Sequence, residues 1–363
     1  MEKENKKDVK KIIAFAIIAC LMLVSIICTY PISKGFKYIL DKWFDVKTQG
    51  LLVHYIDVGQ GDAIAIQFPN REIMLIDTGP KDSQNLVVDY LQNQVLKSNK
   101  DKVIDYMVLT HSDIDHSGGS CAVFSNFDVK NFYRPSVASA DEDAKAFLTS
   151  VSTLEYAEVI KQAYQEPNIN IEIISDGLFF MAGDVKIEFF GPLKAYDTTN
   201  EICPLIKISY NNKTFLFAGD VQGEAEADLL NKYGNTLKAD VLKVGHHGSL
   251  NATSEEFLNA VKPCISVISV GENLYGHPSN NVLLRLENIG SEVLRTDCLG
   301  DIRILCNKNK IEVLNDNAIM LYDFVEWWII GIVIEIAVIV NLVVAVVRIA
   351  KRKKIERDKY SSI

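Results

Sequence analysis

From Leu51 the chain runs through three short stretches rich in β-branched and aliphatic residues, LLVHYIDV, AIAIQF and EIMLID, each bounded by Gly, Pro or Asn. Short apolar runs closed by turn residues predict three consecutive strands. The period then changes. Leu86, Val87, Tyr90, Leu91 and Val95 share one stripe of a helix predicted over Asp82 to Leu96, and Val103 to Thr110 returns to a strand. After an irregular and helical stretch from Ser136 to Gln165, strands are predicted at NIEIIS, VKIEFFG, LIKISY and TFLFAG. The remainder alternates: a helix over Glu224 to Lys232, strand ADVLKVG, helix SEEFLNAV, strand CISVISVG, a helix over Asn280 to Glu287, and closing strands SEVLRT and DIRILC. Two blocks of strands with helices between and after them predict an α/β fold of two packed sheets covered by helices.

Two longer apolar runs flank this pattern. Ile12 to Tyr30 is nineteen residues without a charge, about the length that crosses a ~30 Å hydrocarbon layer as a helix. Five lysines precede it in the tail 1–11, and no small-x-small cleavage site follows before Lys34, so an uncleaved anchor is expected. Trp327 to Val347 is a second run, interrupted by Glu335 and Asn341 and followed by Arg348, Lys351, Arg352, Lys353 and Lys354 in the tail 348–363. The basic flanks place both termini in the cytoplasm and the domain between them outside it, at the cell membrane.

Composition sharpens that division. The whole chain carries a formal charge of −9, yet residues 34–323 hold 26 basic against 40 acidic side chains, about −14. Salt-driven binding of the whole domain to a polyanion is disfavoured by that balance. Seven cysteines in 363 residues, with no CxxC pair, exclude a disulfide scaffold and a zinc ribbon.

Chemistry concentrates after the fourth predicted strand, where Thr110-His111-Ser112-Asp113-Ile114-Asp115-His116-Ser117-Gly118-Gly119 puts four candidate metal ligands within six residues. Further candidates follow other strands: Asp220 after TFLFAG, His246 and His247 after VLKVG, and His277 after CISVISVG. Five of six histidines at strand exits point to one site, because sheet edges are where layered folds gather reactive groups. His54, inside the first strand, reads as a packed residue.

The stretch His111 to His116 resembles the HxHxDH signature of the metallo-β-lactamase superfamily, with Asp113 in place of the usual second histidine. HYIDVGQGDAI, LIDTG, LFAGD, LKVGHHGS and NLYGHP are similar in order and spacing to the extracytoplasmic hydrolase domain of the ComEC competence family, over residues 50–305. The resemblance implies an αββα sandwich, flanked in this chain by the two membrane spans, with one or two divalent metals. Its departures are the lack of the polytopic channel and small barrel, so that DNA translocation by this chain is not expected, and Asn200-Glu201-Ile202-Cys203 where the family has Asn-x-x-Ser. No histidine stands where the wider superfamily places its third ligand.

Asp115, His116, Asp220 and one of His246 or His247 are expected to complete one metal site, with His247 the weaker candidate because His246 is nearer Asp220 in sequence. His111, Asp113 and a bridging Asp220 would hold the other. Zinc is the expected ion, and the hard carboxylate at Asp113 makes manganese or iron rivals. Asp77 reads as a hydrogen-bond acceptor orienting the ligand loop, Asp57, Gln60 and Asp62 as loop-shaping residues, Cys203 as a buried small residue, and His277 as a catalytic donor to an oxyanion or leaving group. Asp115 and Asp220 are counted with the catalytic residues as well as the ligands. The expected function is hydrolysis of a phosphoester, DNA or a cell-wall polymer; the alternative is a catalytically idle metal-binding module recognising a wall polymer or a protein partner.

Overall fold

The structure, a computed structural model, describes residues 50–96, 102–135, 154–308 and 310–314. The apolar runs at 12–30 and 327–347 and both charged tails lie outside the described residues. Among the described residues no helix is long and apolar enough to cross a membrane.

The strands are β1 (Leu51–Tyr55), β2 (Ile64–Gln67), β3 (Ile73–Ile76), β4 (Val103–Val108), β5 (Asp128–Arg134), β6 (Asn170–Ile173), β7 (Phe179–Ala182), β8 (Val185–Phe190), β9 (Leu205–Tyr210), β10 (Lys213–Phe217), β11 (Val241–Lys243), β12 (Ile265–Ile268), β13 (Glu292–Arg295), β14 (Ile302–Asn307) and β15 (Lys310–Leu314). One sheet has the order β15-β14-β1-β2-β3-β4-β5-β6 and the other β13-β12-β11-β10-β9-β8-β7. The helices are α1 (Gln84–Tyr90), α2 (Ile114–Ser117), α3 (Ser120–Asn126), α4 (Leu154–Ala163), α5 (Gly223–Tyr233), α6 (Glu255–Val261), α7 (Asn280–Asn288) and α8 (Thr296–Leu299).

Side-chain alternation along each strand builds the layers. Val53, Tyr55, Ile64 and Ile66 point into the space between the sheets and meet Ile187, Phe189, Ile206, Phe215 and Phe217 of the opposite sheet. Their neighbours Ala63, Ala65 and Leu75 turn the other way, onto Val87 and Leu91 of the first helical segment, Val123 and Phe124 of α3, and Ile160 of α4. On the far side, Leu205, Leu216 and Leu242 pack against Leu229 of α5, Phe257 of α6 and Leu286 of α7. The layers run helix, sheet, sheet, helix, as expected. Burial on both faces is why these strands read as continuous apolar runs rather than clean alternations.

Three strands and the short helices α2, α3 and α8 were not legible in the sequence. In β5, the buried Val129, Phe132 and Tyr133 are broken up by Lys130 and Asn131, which blurs the period. β7 is a four-residue hairpin arm facing β8 across a turn at Gly183. β15 pairs with β14 beyond residue 305, so the folded sheet extends past the expected boundary. Helix α3 follows Gly118-Gly119 too closely to show a stripe of its own.

β3 to β6 run parallel, as do β10 to β13. In such sheets the crevice outside the C-terminal strand ends is where ligands bind. The loops leaving β3, β4, β10, β11 and β12 all contribute to one cluster.

Candidate metal centre

Asp77 follows β3 and organises the centre. It adopts a left-handed φ of 56°, a conformation that Asp tolerates better than most residues. Its Oδ1 accepts from the Thr110 backbone N–H at 2.8 Å, and its Oδ2 accepts from Thr110 Oγ1 at 2.7 Å and from His116 Nδ1 at 2.8 Å. Because the Thr110 hydroxyl spends its proton on Asp77, it can only accept from His111 Nδ1, 3.0 Å away. One carboxylate therefore fixes the tautomers of two imidazoles. His247 Nδ1 donates to the carbonyl of Ser269 at 2.8 Å, and His246 Nδ1 donates to Gln222 Oε1 at 2.7 Å.

With all four Nδ1 atoms acting as donors, the four Nε2 atoms are left with lone pairs, and they converge on Asp220. His116 Nε2 lies 3.2 Å and His247 Nε2 3.6 Å from Asp220 Oδ1, and the two Nε2 atoms are 3.2 Å apart. Asp115 Oδ2 completes that set, 3.3 Å from His247 Nε2 and 4.0 Å from His116 Nε2. The other oxygen, Asp220 Oδ2, faces His111 Nε2 at 3.9 Å and His246 Nε2 at 3.5 Å, with Asp113 Oδ2 3.7 Å from His111 Nε2. Asp220 stands between two donor sets, one on each oxygen.

The donor set fits divalent metal. Imidazole lone pairs facing one another and a carboxylate repel unless a cation lies between them, and His111 Nε2 and Asp220 Oδ1 are buried without a hydrogen-bond partner. Absent metal, protons take the cation's place. Burial pushes the His116 and His247 pKa values down, but Asp220 beside each outweighs this and raises them. Burial alone would raise Asp220, yet the imidazoles of His116, His247 and His111 hold it well below the usual carboxylate range. Asp115 is likewise lowered by His116 and His247 against its own burial.

His246 and His247 do not divide as expected. His247, fully buried, belongs to the set with His116 and Asp115, and His246 belongs to the set with His111 and Asp113. Strand alternation would point these neighbours apart. Instead they leave β11 with φ values of 46° and 51°, two consecutive left-handed residues that turn both rings toward Asp220. Such a conformation is strained for non-glycine residues, at ~1–3 kcal/mol each. Asn200 lies beside His246, its Nδ2 3.3 Å from both ring nitrogens. Burial raises the Cys203 thiol well above its ordinary value, with Asp220 adding to this, so Cys203 stays a buried thiol.

Asp62 and Lys243 carried no site reading from sequence. Asp62, His116, Asp220 and His247 each offer a ligand atom within 4.8 Å of the others. Asp62, however, approaches the rings from behind, 3.7 Å from His116 Nδ1 and 3.6 Å from His247 Nδ1, and its Oδ2 is held in an ion pair by the fully buried Lys243. Those Nδ1 atoms are donors already committed elsewhere, so Asp62 braces the rings rather than completing either donor set. Lys243 also donates to the Gly219 carbonyl at 3.0 Å and stands 4.0 Å from Asp220 Oδ1. Asp62 reaches its place through tight loop contact: a Cβ on Gly61 would lie 2.3 Å from the Asp115 carbonyl oxygen, and one on Gly271 2.4 Å from the Gly59 backbone. Only glycine allows those approaches.

A sequence profile described as "Metallo-beta-lactamase superfamily" matches residues 56–272. The chain belongs to the metallo-beta-lactamase superfamily. It is 30% identical to ComE operon protein 3 of Bacillus subtilis over 271 residues, 69% of this chain and 32% of that protein. It is 29% identical to competence protein ComA of Neisseria gonorrhoeae over 251 residues, 68% of this chain and 31% of the relative. The chain thus spans about a third of the length of these curated relatives. Among solved structures, the metallo-beta-lactamase fold protein YhfI of Bacillus subtilis aligns over 71% of this chain and all of that one, with a TM-score of 0.47 and 13% identity.

Proposed function

We propose that this member of the superfamily is a metal-dependent phosphodiester hydrolase anchored in the cell membrane, with its catalytic domain outside the cytoplasm. The observation that carries the reading is the convergence of four imidazole Nε2 atoms and the carboxylates of Asp113 and Asp115 on the two oxygens of Asp220. His116, His247, Asp115 and Asp220 Oδ1 would hold one ion, and His111, His246, Asp113 and Asp220 Oδ2 a second. Zinc, manganese or iron there would polarise an ester oxygen and lower the pKa of a bound water.

The protein's own part is orientation and proton placement. Asp77, Thr110, Gln222 and the Ser269 carbonyl keep the Nδ1 protons away from the reacting side. His277 stands beside the donor sets, its ring centroid 5.1 Å from that of His246, and its Nδ1 is buried without a partner. Burial lowers its pKa, so His277 is neutral at physiological pH and offers a hydrogen bond to a developing oxyanion or leaving oxygen. The Asn273 carboxamide oxygen accepts from the His277 backbone N–H at 3.1 Å and fixes its loop.

Replacing His277 with alanine should leave metal content intact and lower turnover by roughly 10²- to 10³-fold, the scale of one lost oxyanion donor. A His277→Ala protein that loses metal would make it a ligand instead. Elemental analysis of protein isolated without chelators, paired with assays on bis-p-nitrophenyl phosphate and single-stranded DNA, tests the whole reading: one or two divalent ions and hydrolysis support it, and metal-free protein removes it. The competence relatives favour nucleic acid as substrate, whereas the acidic surface favours a cell-envelope phosphodiester. The membrane placement rests on the lysine-rich flanks. Protease added to intact cells should digest residues 50–314 and spare residues 351–354; cleavage of that tail would overturn it.

A further inference from the structure

Nine large apolar side chains are exposed among the described residues, and four of them sit in the chain segments that carry the candidate metal ligands. Ile114 lies between Asp113 and Asp115, Leu250 three residues after His247, and Leu274 and Tyr275 just before His277. Leu274 is fully exposed and Tyr275 is 77% exposed. Isolated exposed apolar residues are ordinary, but an exposed aromatic ring beside the imidazole of His277 suits a ligand with a flat apolar part.

The tip of this loop is rigidly held. Asn273 Oδ1 accepts from the backbone N–H groups of Tyr275 and His277, both at 3.1 Å, and Asn273 Nδ2 donates to the carbonyls of Gly271 and His277, both at 2.8 Å. One side chain thus clamps the turn and presents Leu274 and Tyr275 outward. The Tyr275 ring lies 5.7 Å from that of His277 and is tilted 32° to it, so an exposed aromatic face begins beside that imidazole.

We propose that Tyr275 is a specificity-determining residue: its ring is the platform on which an unpaired base next to the scissile phosphodiester stacks, with Leu274 flanking it. This rests on the phosphodiester reading above and names the part of the substrate that the donor sets do not recognise. An acidic domain has no basic stripe to follow a phosphate backbone, so affinity for a nucleic acid has to come from the base faces, which every base offers to an aromatic ring. A polyol phosphate from the envelope has no flat ring to place there.

The test compares the full-length, metal-loaded protein with Tyr275→Ala and Tyr275→Phe on a thymidine dinucleotide and on glycerophosphoglycerol, an aliphatic phosphodiester. The ratio of kcat/KM for the dinucleotide to that for the aliphatic diester should fall about 5- to 150-fold in Tyr275→Ala, mainly through KM, the scale of one lost base stack. Tyr275→Phe should restore it, and metal content should match the parent in both variants. An unchanged ratio, or a Phe variant as poor as Ala, overturns the assignment while the hydrolase reading stands. A parent that cleaves only the aliphatic diester also overturns it and directs the site to the envelope. A parent that cleaves neither removes the phosphodiester reading, and the stacking platform with it.

Discussion

Asp220→Ala is expected to strip metal from both donor sets and to lower phosphodiester hydrolysis by roughly 10³-fold or more, the scale on which loss of a central catalytic group acts. Each oxygen of Asp220 serves a different set, with His116 on Oδ1 at 3.2 Å and His246 on Oδ2 at 3.5 Å. No other described carboxylate faces both. Asp113→Ala, by contrast, removes a donor from the Oδ2 set alone and should leave the Oδ1 set loaded. Elemental analysis of the two variants beside the parent checks the claim. An Asp220→Ala protein that keeps a full metal complement would show that the two sets do not share this carboxylate.

The second large effect is on stability. Lys243→Met is expected to cost about 3–5 kcal/mol, because it leaves the Asp62 carboxylate buried without its counter-ion. Lys243 and Asp62 are 0% and 1% exposed, so water cannot compensate either charge. Burial lowers the Lys243 pKa, but Asp62 and Asp220 outweigh it and the net shift is upward, which keeps the ammonium charged throughout the physiological range. Removing both charges in Lys243→Met with Asp62→Leu should recover most of the loss, since an apolar pair of similar volume avoids the desolvation cost. Denaturant midpoints of the single and double variants provide the measurement. An unchanged midpoint for Lys243→Met would mean that Asp62 is neutralised by something other than this lysine.

Much of this protein follows from local pattern. Strand runs such as Leu51–Tyr55 and Ile73–Ile76 announce themselves because burial on both faces demands continuous apolar side chains. Chain direction then makes the strand exits the natural place for chemistry, so His111, Asp115, His116, Asp220 and the His246-His247 pair could be named as one site from their positions after strands. Asp77 could be named as their support, since it ends the neighbouring strand. The membrane spans proposed for 12–30 and 327–347 rest on sequence alone, on the length of the apolar runs and their basic flanks.

Tertiary structure alone decided how those residues are shared out. His116 and His247 meet although 131 residues separate them, and no local period encodes that contact. The expectation that strand alternation would part His246 from His247 failed because two successive left-handed residues replace the strand at that point. Both rings consequently reach Asp220, one on each oxygen. Lys243 carried no reading of its own inside its strand, and Asp62 read as a loop-shaping residue. Their pairing became visible only when the close approach at Gly61 and Gly271 brought the first loop of the domain under the histidines. A sequence lists which side chains are available for a charged centre, whereas the balance of buried charge depends on which of them end within a few ångströms of one another, and distance is a property of the packed sheets.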